Sequence, residues 1–228
     1  MLWQEEVSPK EIKLSPEIVD LVFDIHCQCL PVDHAYALSQ TIQQSLPWFE
    51  QELQAGLHLI HGAESGNGWY RPNGQDELLY LSRRTKLTLR LPQYRITAAT
   101  RALTNLNLDI AGYSLTVNKA VEKPLNPMPV LLARHVIADP KQDEEIFLEQ
   151  VVMQLELLGI PCRKALCGKT HYFKLPEGEL FTRSLMIADL KPSDSLMLQQ
   201  QGLGSGRKMG CGLFIPHKDI KPVNPDKN

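Results

Sequence analysis

Lys86-Leu87-Thr88-Leu89-Arg90-Leu91 alternates polar and apolar side chains without a break, the period of a strand with one buried face. Leu87, Leu89 and Leu91 face one way, while Lys86, Thr88 and Arg90 make a basic face on the other. On its N-terminal side, Leu21, Phe23, Ile25, Cys27 and Cys29 alternate in the same way with Val22, Asp24, His26 and Gln28, so His26 points away from the core. Between these two strands, Pro31-Val32-Asp33 ends the first, and Asp33 is suited to cap a helix whose apolar face holds Ala35, Leu38, Ile42, Leu46 and Phe49. Pro47 marks the last turn of that helix or its end. Gly56 to His61 reads as a short strand. The Gly- and Asn-rich connection that follows, around Gly66 to Pro72, is long enough to suggest a functional or mobile loop.

Beyond the opening stretch, a short helix over Thr97 to Leu103 and a strand from Leu108 to Val117, broken at Gly112, complete a β-α-β-β-α-β order. The order then repeats. Val130 to Ala138 is an apolar strand, and Asp143 to Leu158 is a helix closed by Gly159 and Pro161. Cys162 to Leu175 and Glu179 to Leu190 are strands joined by a turn at Pro176-Glu177-Gly178. A short helix from Pro192 ends at Gly202, and Leu213 to His217 is the last strand. The expected fold is α+β, built as two tandem ferredoxin-like (RRM-like) units. They span residues 18–118 and 130–228, with an N-terminal arm at 1–17 and a proline-bearing linker at 119–129. Their sheets are expected to face a common basic cleft.

The 228 residues, 43% of them apolar, are enough for one large or two small cores. A formal charge of −2 excludes a uniformly basic nucleic-acid binder, so such a site must come from local segregation of charge. That segregation is present. No acidic residue lies between Leu78 and Leu108, where Arg83, Arg84, Lys86, Arg90, Arg95 and Arg101 all fall. Five cysteines with no C-x-x-C pair fit a reducing compartment, and Cys27 and Cys29 read as buried thiols rather than zinc ligands, so neither metal nor cofactor is expected. The N-terminus is polar and no apolar run approaches the ~18 residues of a membrane span, which points to a cytoplasmic protein.

Gly202-Leu203-Gly204-Ser205-Gly206-Arg207-Lys208-Met209-Gly210-Cys211-Gly212 carries the densest chemistry. Its glycines permit positive φ and leave backbone N–H groups uncovered, and Arg207 and Lys208 add charge at the same point, as a phosphate-handling loop requires. It is not a dinucleotide fingerprint, because it leads into a strand rather than a helix. Nor is there a Walker loop, because Arg163 stands where Gly168-Lys169-Thr170 would need a glycine. The strand pair from Cys162 to Leu190 adds a basic ribbon with Lys164, Lys169, His171, Lys174 and Arg183. Among the histidines, His58, His61 and His217 read as structural or exposed. His34 follows the capping Asp33, where the helix dipole favours neutral imidazole, the form a general base requires, and Tyr36 is near enough to donate a hydrogen bond.

The tandem order, the histidine at the start of the first helix and the loop G-L-G-S-G-R-K-M-G-C-G-L-F together resemble the CRISPR-associated repeat-processing endoribonucleases, the sixth Cas protein family. Val19 to His34, Asp109 to Leu115 and Gly202 to Lys218 resemble in particular the subtype labelled Myxan. The resemblance implies metal-independent cleavage of precursor CRISPR RNA within each repeat. In it the 2′-hydroxyl attacks the adjacent phosphate, giving a 2′,3′-cyclic phosphate or 3′-phosphate and a 5′-hydroxyl. His34 would act as base or acid with Tyr36 beside it, and Gly204, Gly206, Arg207, Gly210 and Gly212 would position RNA. Lys86, Arg90, Lys164, Lys169, His171, Lys174, Arg183 and Lys208 are the further RNA contacts expected from their charge. The partners implied are precursor CRISPR RNA, mature guide RNA and other Cas proteins of a multi-subunit effector complex. The rival reading is a non-catalytic RNA-binding subunit of an interference complex with the same fold.

Overall fold

The computed structural model describes residues 17–61 and 77–217. Residues 1–16 of the N-terminal arm, the connection around Gly66 to Pro72, and Lys218 lie outside the described residues. The first half of the chain contributes β1 (Ile18–His26), β2 (Cys29–Pro31), α1 (Ala35–Ser45), β3 (Gly56–His58), β4 (Leu78–Tyr80), β5 (Lys86–Pro92), α2 (Ile96–Leu103), β6 (Asn107–Ile110) and β7 (Tyr113–Pro124). The second half contributes β8 (Leu131–Ile137), α3 (Glu144–Leu157), β9 (Lys164–Leu175), β10 (Gly178–Ala188), α4 (Pro192–Gln201) and β11 (Phe214–Pro216). Among the described residues no helix is long and apolar enough to cross a membrane.

Among the described residues two antiparallel sheets are ordered β3-β5-β1-β7-β6 and β11-β8-β10-β9, and β2 pairs with β4 as a small separate ribbon. In each sheet the first strand of its half lies between later ones. The alternation at Lys86 to Leu91 sets the first register: Leu21 pairs opposite Leu89 and Phe23 opposite Leu87, so both strands turn the same parity inward. Leu21, Phe23, Leu87, Leu89 and Leu91 are buried with Leu38 and Ile42 of α1 and Ala99 and Leu103 of α2. The second core joins Leu131, Ala133, Leu185 and Ile187 to Phe147, Val151 and Leu155 of α3 and Leu198 of α4.

Several boundaries move for physical reasons. The strand expected from Leu108 to Val117 is a hairpin, because Ala111 and Gly112 both adopt positive φ and Asp109 Oδ1 accepts the Gly112 N–H at 2.8 Å. Its second arm runs on to Pro124, opposite Val19, so half of the expected linker is strand. Asp33 does not cap α1. Its carboxylate accepts the Lys174 N–H at 2.8 Å, and His34 takes the N-cap position without a side-chain cap. Asp143 does cap α3, accepting the Ile146 N–H at 2.9 Å.

The expected basic cleft along the first sheet is corrected. Arg90 is 0% exposed. It forms a two-pronged pair with Asp20 (2.8 and 3.0 Å) and donates to the carbonyls of Gln199 (3.0 Å) and Phe214 (2.7 Å), so α4 and β11 cover this face. A guanidinium under that much protein requires such partners. Burial pushes the Asp20 pKa up, but the His58 and Arg90 hydrogen bonds outweigh it and hold the carboxyl below the usual range. Lys86, near the solvent edge of the same strand, pairs with Asp24.

Candidate active site

The glycine-rich loop closes on itself. The N–H groups of Leu203, Met209, Gly210, Cys211 and Gly212 donate to the carbonyls of Gly212, Gly206, Arg207, Gly206 and His135. Gly210 and Gly212 are needed here as glycines: both have positive φ, and a Cβ would lie 2.6 Å from Leu59 Cγ in the first case and 2.1 Å from the Leu203 carbonyl oxygen in the second. Only the tip at Gly204 and Ser205 is exposed.

The two cations of the loop, expected as phosphate contacts, are half-buried and their charged ends are already engaged by main-chain carbonyls. Arg207 donates to the carbonyls of Gln201 (2.6 Å), Gln54 (3.0 Å) and Gln200 (3.1 Å), and burial lowers its pKa to about 10. Lys208 donates to the carbonyls of Glu52 and Ala55 and lies 4.9 Å from the Phe49 ring centre; burial draws its pKa down to about 8. With the buried Arg90, these two half-buried cations form a brace between the N-terminal sheet and the chain after α4.

A cleft of about 200 Å³ opens elsewhere, where the end of β2 and the chain after β3 meet β8 and β9. Asp33, His34 and His61 from the first half of the chain and His135, His171 and Tyr172 from the second half line it. His34 is 3% exposed. Its Nδ1 lies 2.8 Å from the Pro31 carbonyl oxygen, which can only accept, and its Nε2 receives the Ile60 N–H at 3.2 Å. Those two partners fix a neutral ring with the proton on Nδ1 and the lone pair on Nε2. Burial raises the pKa of the neighbouring Asp33, partly offset by the Lys174 amide and charge.

The cleft collects residues that no single stretch of sequence announces. The His135 ring lies 6.3 Å from His61 in a stacked arrangement, 5.0 Å from His171 edge to face, and 4.7 Å from Phe173. His61, expected to be structural or exposed, is therefore a cleft residue, and sequence reasoning passed over His135 altogether. Its apolar neighbours Leu132, Ala133 and Val136 gave it the look of an ordinary strand residue. Tyr36 does not line the cleft. Among the described residues no group of three His, Cys, Asp or Glu side chains is arranged to hold a metal ion.

The β9–β10 ribbon divides. Lys169 and Lys174 are exposed on β9, flanking the cleft residues Thr170 to Phe173. Lys164 pairs with Asp189 at 2.9 Å. Arg183, expected as a phosphate contact, is half-buried with its guanidinium already engaged: it donates to the Gln142 carbonyl at 2.8 Å and lies over the Phe181 and Phe147 rings at 5.3 and 5.9 Å. Tyr172, 42% exposed and packed against Phe181, offers an aromatic face at the cleft mouth.

A family model described as Cas6 Crispr matches residues 19–219. A curated relative, the CRISPR-associated endonuclease Cas6 of Myxococcus xanthus (strain DK1622), is 31% identical over 198 residues, 87% of this chain and 81% of that protein. Among solved structures, a CRISPR associated protein Cas6 aligns at TM-score 0.63 and 11% identity, covering 89% of this chain and 100% of the other. The product of a Cas6-related gene from Pyrococcus furiosus aligns at TM-score 0.60 and 12% identity, covering 86% and 97%. At those identities the structures establish likeness of fold.

Proposed function

The chain belongs to the Cas6 family, and we propose that it is an endoribonuclease that cleaves precursor CRISPR RNA within the repeats, without metal, to give mature guide RNAs. Its 31% identical relative carries the name of an endonuclease, which supports the activity in general. The two halves are read as tandem ferredoxin-like units joined within residues 119–129. Support for that reading is the shared strand order: in each half the first strand sits between the last strand and the third of the β-α-β-β-α-β series.

The observation that carries the functional reading is His34 Nε2, a lone pair fixed at the wall of a cleft beside the exposed cations of β9. In the proposed reaction His34 takes the 2′-hydroxyl proton as that oxygen attacks the adjacent phosphate. To do so it exchanges the long bond from Ile60 N–H for one from the hydroxyl. Lys169 and Lys174 hold phosphates outside the cleft, and Tyr172 stacks a base at its mouth. The loop at 202–212 meets RNA through its exposed tip at Gly204 and Ser205. Mature guide RNA and other Cas proteins are the proposed later partners.

Single-turnover cleavage of repeat RNA by the full chain in EDTA tests this. Wild type cuts, a 2′-deoxy nucleotide before the scissile bond stops the reaction, and His34→Ala slows it by roughly 10²–10⁴-fold. His26→Ala, altering an exposed strand residue, leaves the rate unchanged. Tight binding of repeat RNA without cleavage by wild type would instead make the chain a non-catalytic RNA-binding subunit.

A further inference from the structure

We propose that His135, on β8, is the general acid of this reaction and delivers a proton from Nε2 to the departing 5′-oxygen; the inference rests on the ribonuclease reading of the cleft. Attack by the 2′-oxygen in line with the leaving group puts the two proton transfers on opposite sides of phosphorus. One histidine anchored at one point is poorly placed for both. His34 comes from the first half of the chain, and its partners fix it as the lone-pair form. The part of the lining that comes from the second half of the chain supplies His135 and His171.

A hydrogen-bonded partner orients the His135 ring. Thr182 is fully buried, and its hydroxyl donates to the His171 carbonyl oxygen at 3.3 Å, an atom that can only accept. A hydroxyl has one proton. Its contact with His135 Nδ1, also 3.3 Å, must therefore run the other way, from Nδ1–H to Thr182 Oγ1. Nδ1–H donates in both the neutral ring and the imidazolium, so this bond persists while Nε2 gains and loses its proton. The ring is held between His61 and His171, both of the cleft, and its own carbonyl oxygen accepts the Gly212 N–H, which ties β8 to the glycine loop. Thr182 is thus a positioning residue for His135.

The step balances. The 2′-O–H bond breaks as its proton passes to His34, the O2′–P bond forms, and the P–O5′ bond breaks with its electron pair going to O5′. That oxygen takes the proton from His135 Nε2. His135 is left neutral, His34 is left protonated, and exchange with water restores both.

Substrate chemistry separates an acid from a structural residue. A repeat RNA with bridging sulfur in place of the 5′-oxygen leaves as a thiolate and needs no proton. His135→Ala is expected to slow the ordinary substrate by about 10²–10³-fold and the sulfur substrate by only a few fold. His135→Gln, which keeps a donor toward Thr182 and much of the ring volume, should show the same pattern should the alanine variant fail to fold. His34→Ala should remain slow on both substrates. Equal slowing of both substrates by the His135 variants, or no slowing of either, overturns the assignment of His135 while leaving the nuclease reading intact. A wild-type chain that cuts neither substrate overturns both.

Discussion

The brace and the cleft treat their polar groups in opposite ways. In the brace, the loop at 202–212 is contiguous in sequence and closed in space: its amides bond one another, and Arg207 and Lys208 end on main-chain carbonyls of the first sheet's connection. In the cleft, His34, His61, His135 and His171 are spread over more than half the chain and meet around one opening. A dense motif marks a place where the backbone has unusual requirements. Those requirements can arise from docking two halves of a molecule as readily as from holding an anion. The cleft shows the converse, a site assembled by topology from residues each unremarkable in its own stretch.

The largest effect that separates these regions should come from Arg90. Arg90→Met removes the donors to Gln199 and Phe214 and leaves the half-buried Asp20 with His58 beside it. Breaking a buried pair from one side costs about 3–5 kcal/mol, read as a lowered midpoint in urea. The acid limb changes as well. Asp20 stays ionised in the folded wild type at pH values where the unfolded chain protonates, so its contribution is present above about pH 4 and is lost as pH falls below it. In Arg90→Met the folded-state pKa rises, and the decline from Asp20 becomes shallower. An unchanged midpoint would mean that the brace does not join the two halves.

How much of this was legible in the sequence follows from the range of each signal. Period-two alternation is local, so β1, β5 and the repeated element order could be read directly. The small β2–β4 ribbon could not, because three-residue strands carry no period. Lys86, Thr88 and Arg90 were correctly placed opposite the leucines, but alternation gives parity and not exposure. Whether the second face meets water or another layer depended on α4 and β11, more than one hundred residues later. His34 was legible through its place at a helix start, although its cap is missing because Asp33 bonds to β9 instead. His135 gave no local signal, since its neighbours on the cleft come from β9 and from the chain after β3.

A smaller effect tests the other half of the brace. Arg207→Ala removes donors from three carbonyls, and hydrogen bonds of a charged group contribute about 1.5–3 kcal/mol. Thermal unfolding should shift by that order. The dependence of RNA affinity on salt should not move if a guanidinium tied to three carbonyls releases no counterion when RNA binds. A lower salt slope with unchanged stability would return Arg207 to the RNA surface.

The smallest effect is the mirror image. Lys169 is exposed at the middle of β9, beside Thr170 and His171 of the cleft wall, and its ammonium has no fold to hold together. Lys169→Ala should therefore leave the unfolding midpoint where it is, within the ±0.5 kcal/mol usual for surface changes. Its loss should appear in binding alone. A lysine that neutralises a phosphate releases condensed counterions, so removing it lowers the slope of log K against log salt by about 0.7–0.9, the smaller value applying to single-stranded RNA. Titrating repeat RNA at several salt concentrations against wild type, Lys169→Ala and Arg207→Ala places each cation in one class: one moves the slope, the other the stability. If both variants move the slope, the loop and the ribbon share one RNA surface and the contrast between brace and cleft fails. If neither does, the RNA path runs away from β9, and the exposed tip at Gly204 and Ser205 becomes the next place to look.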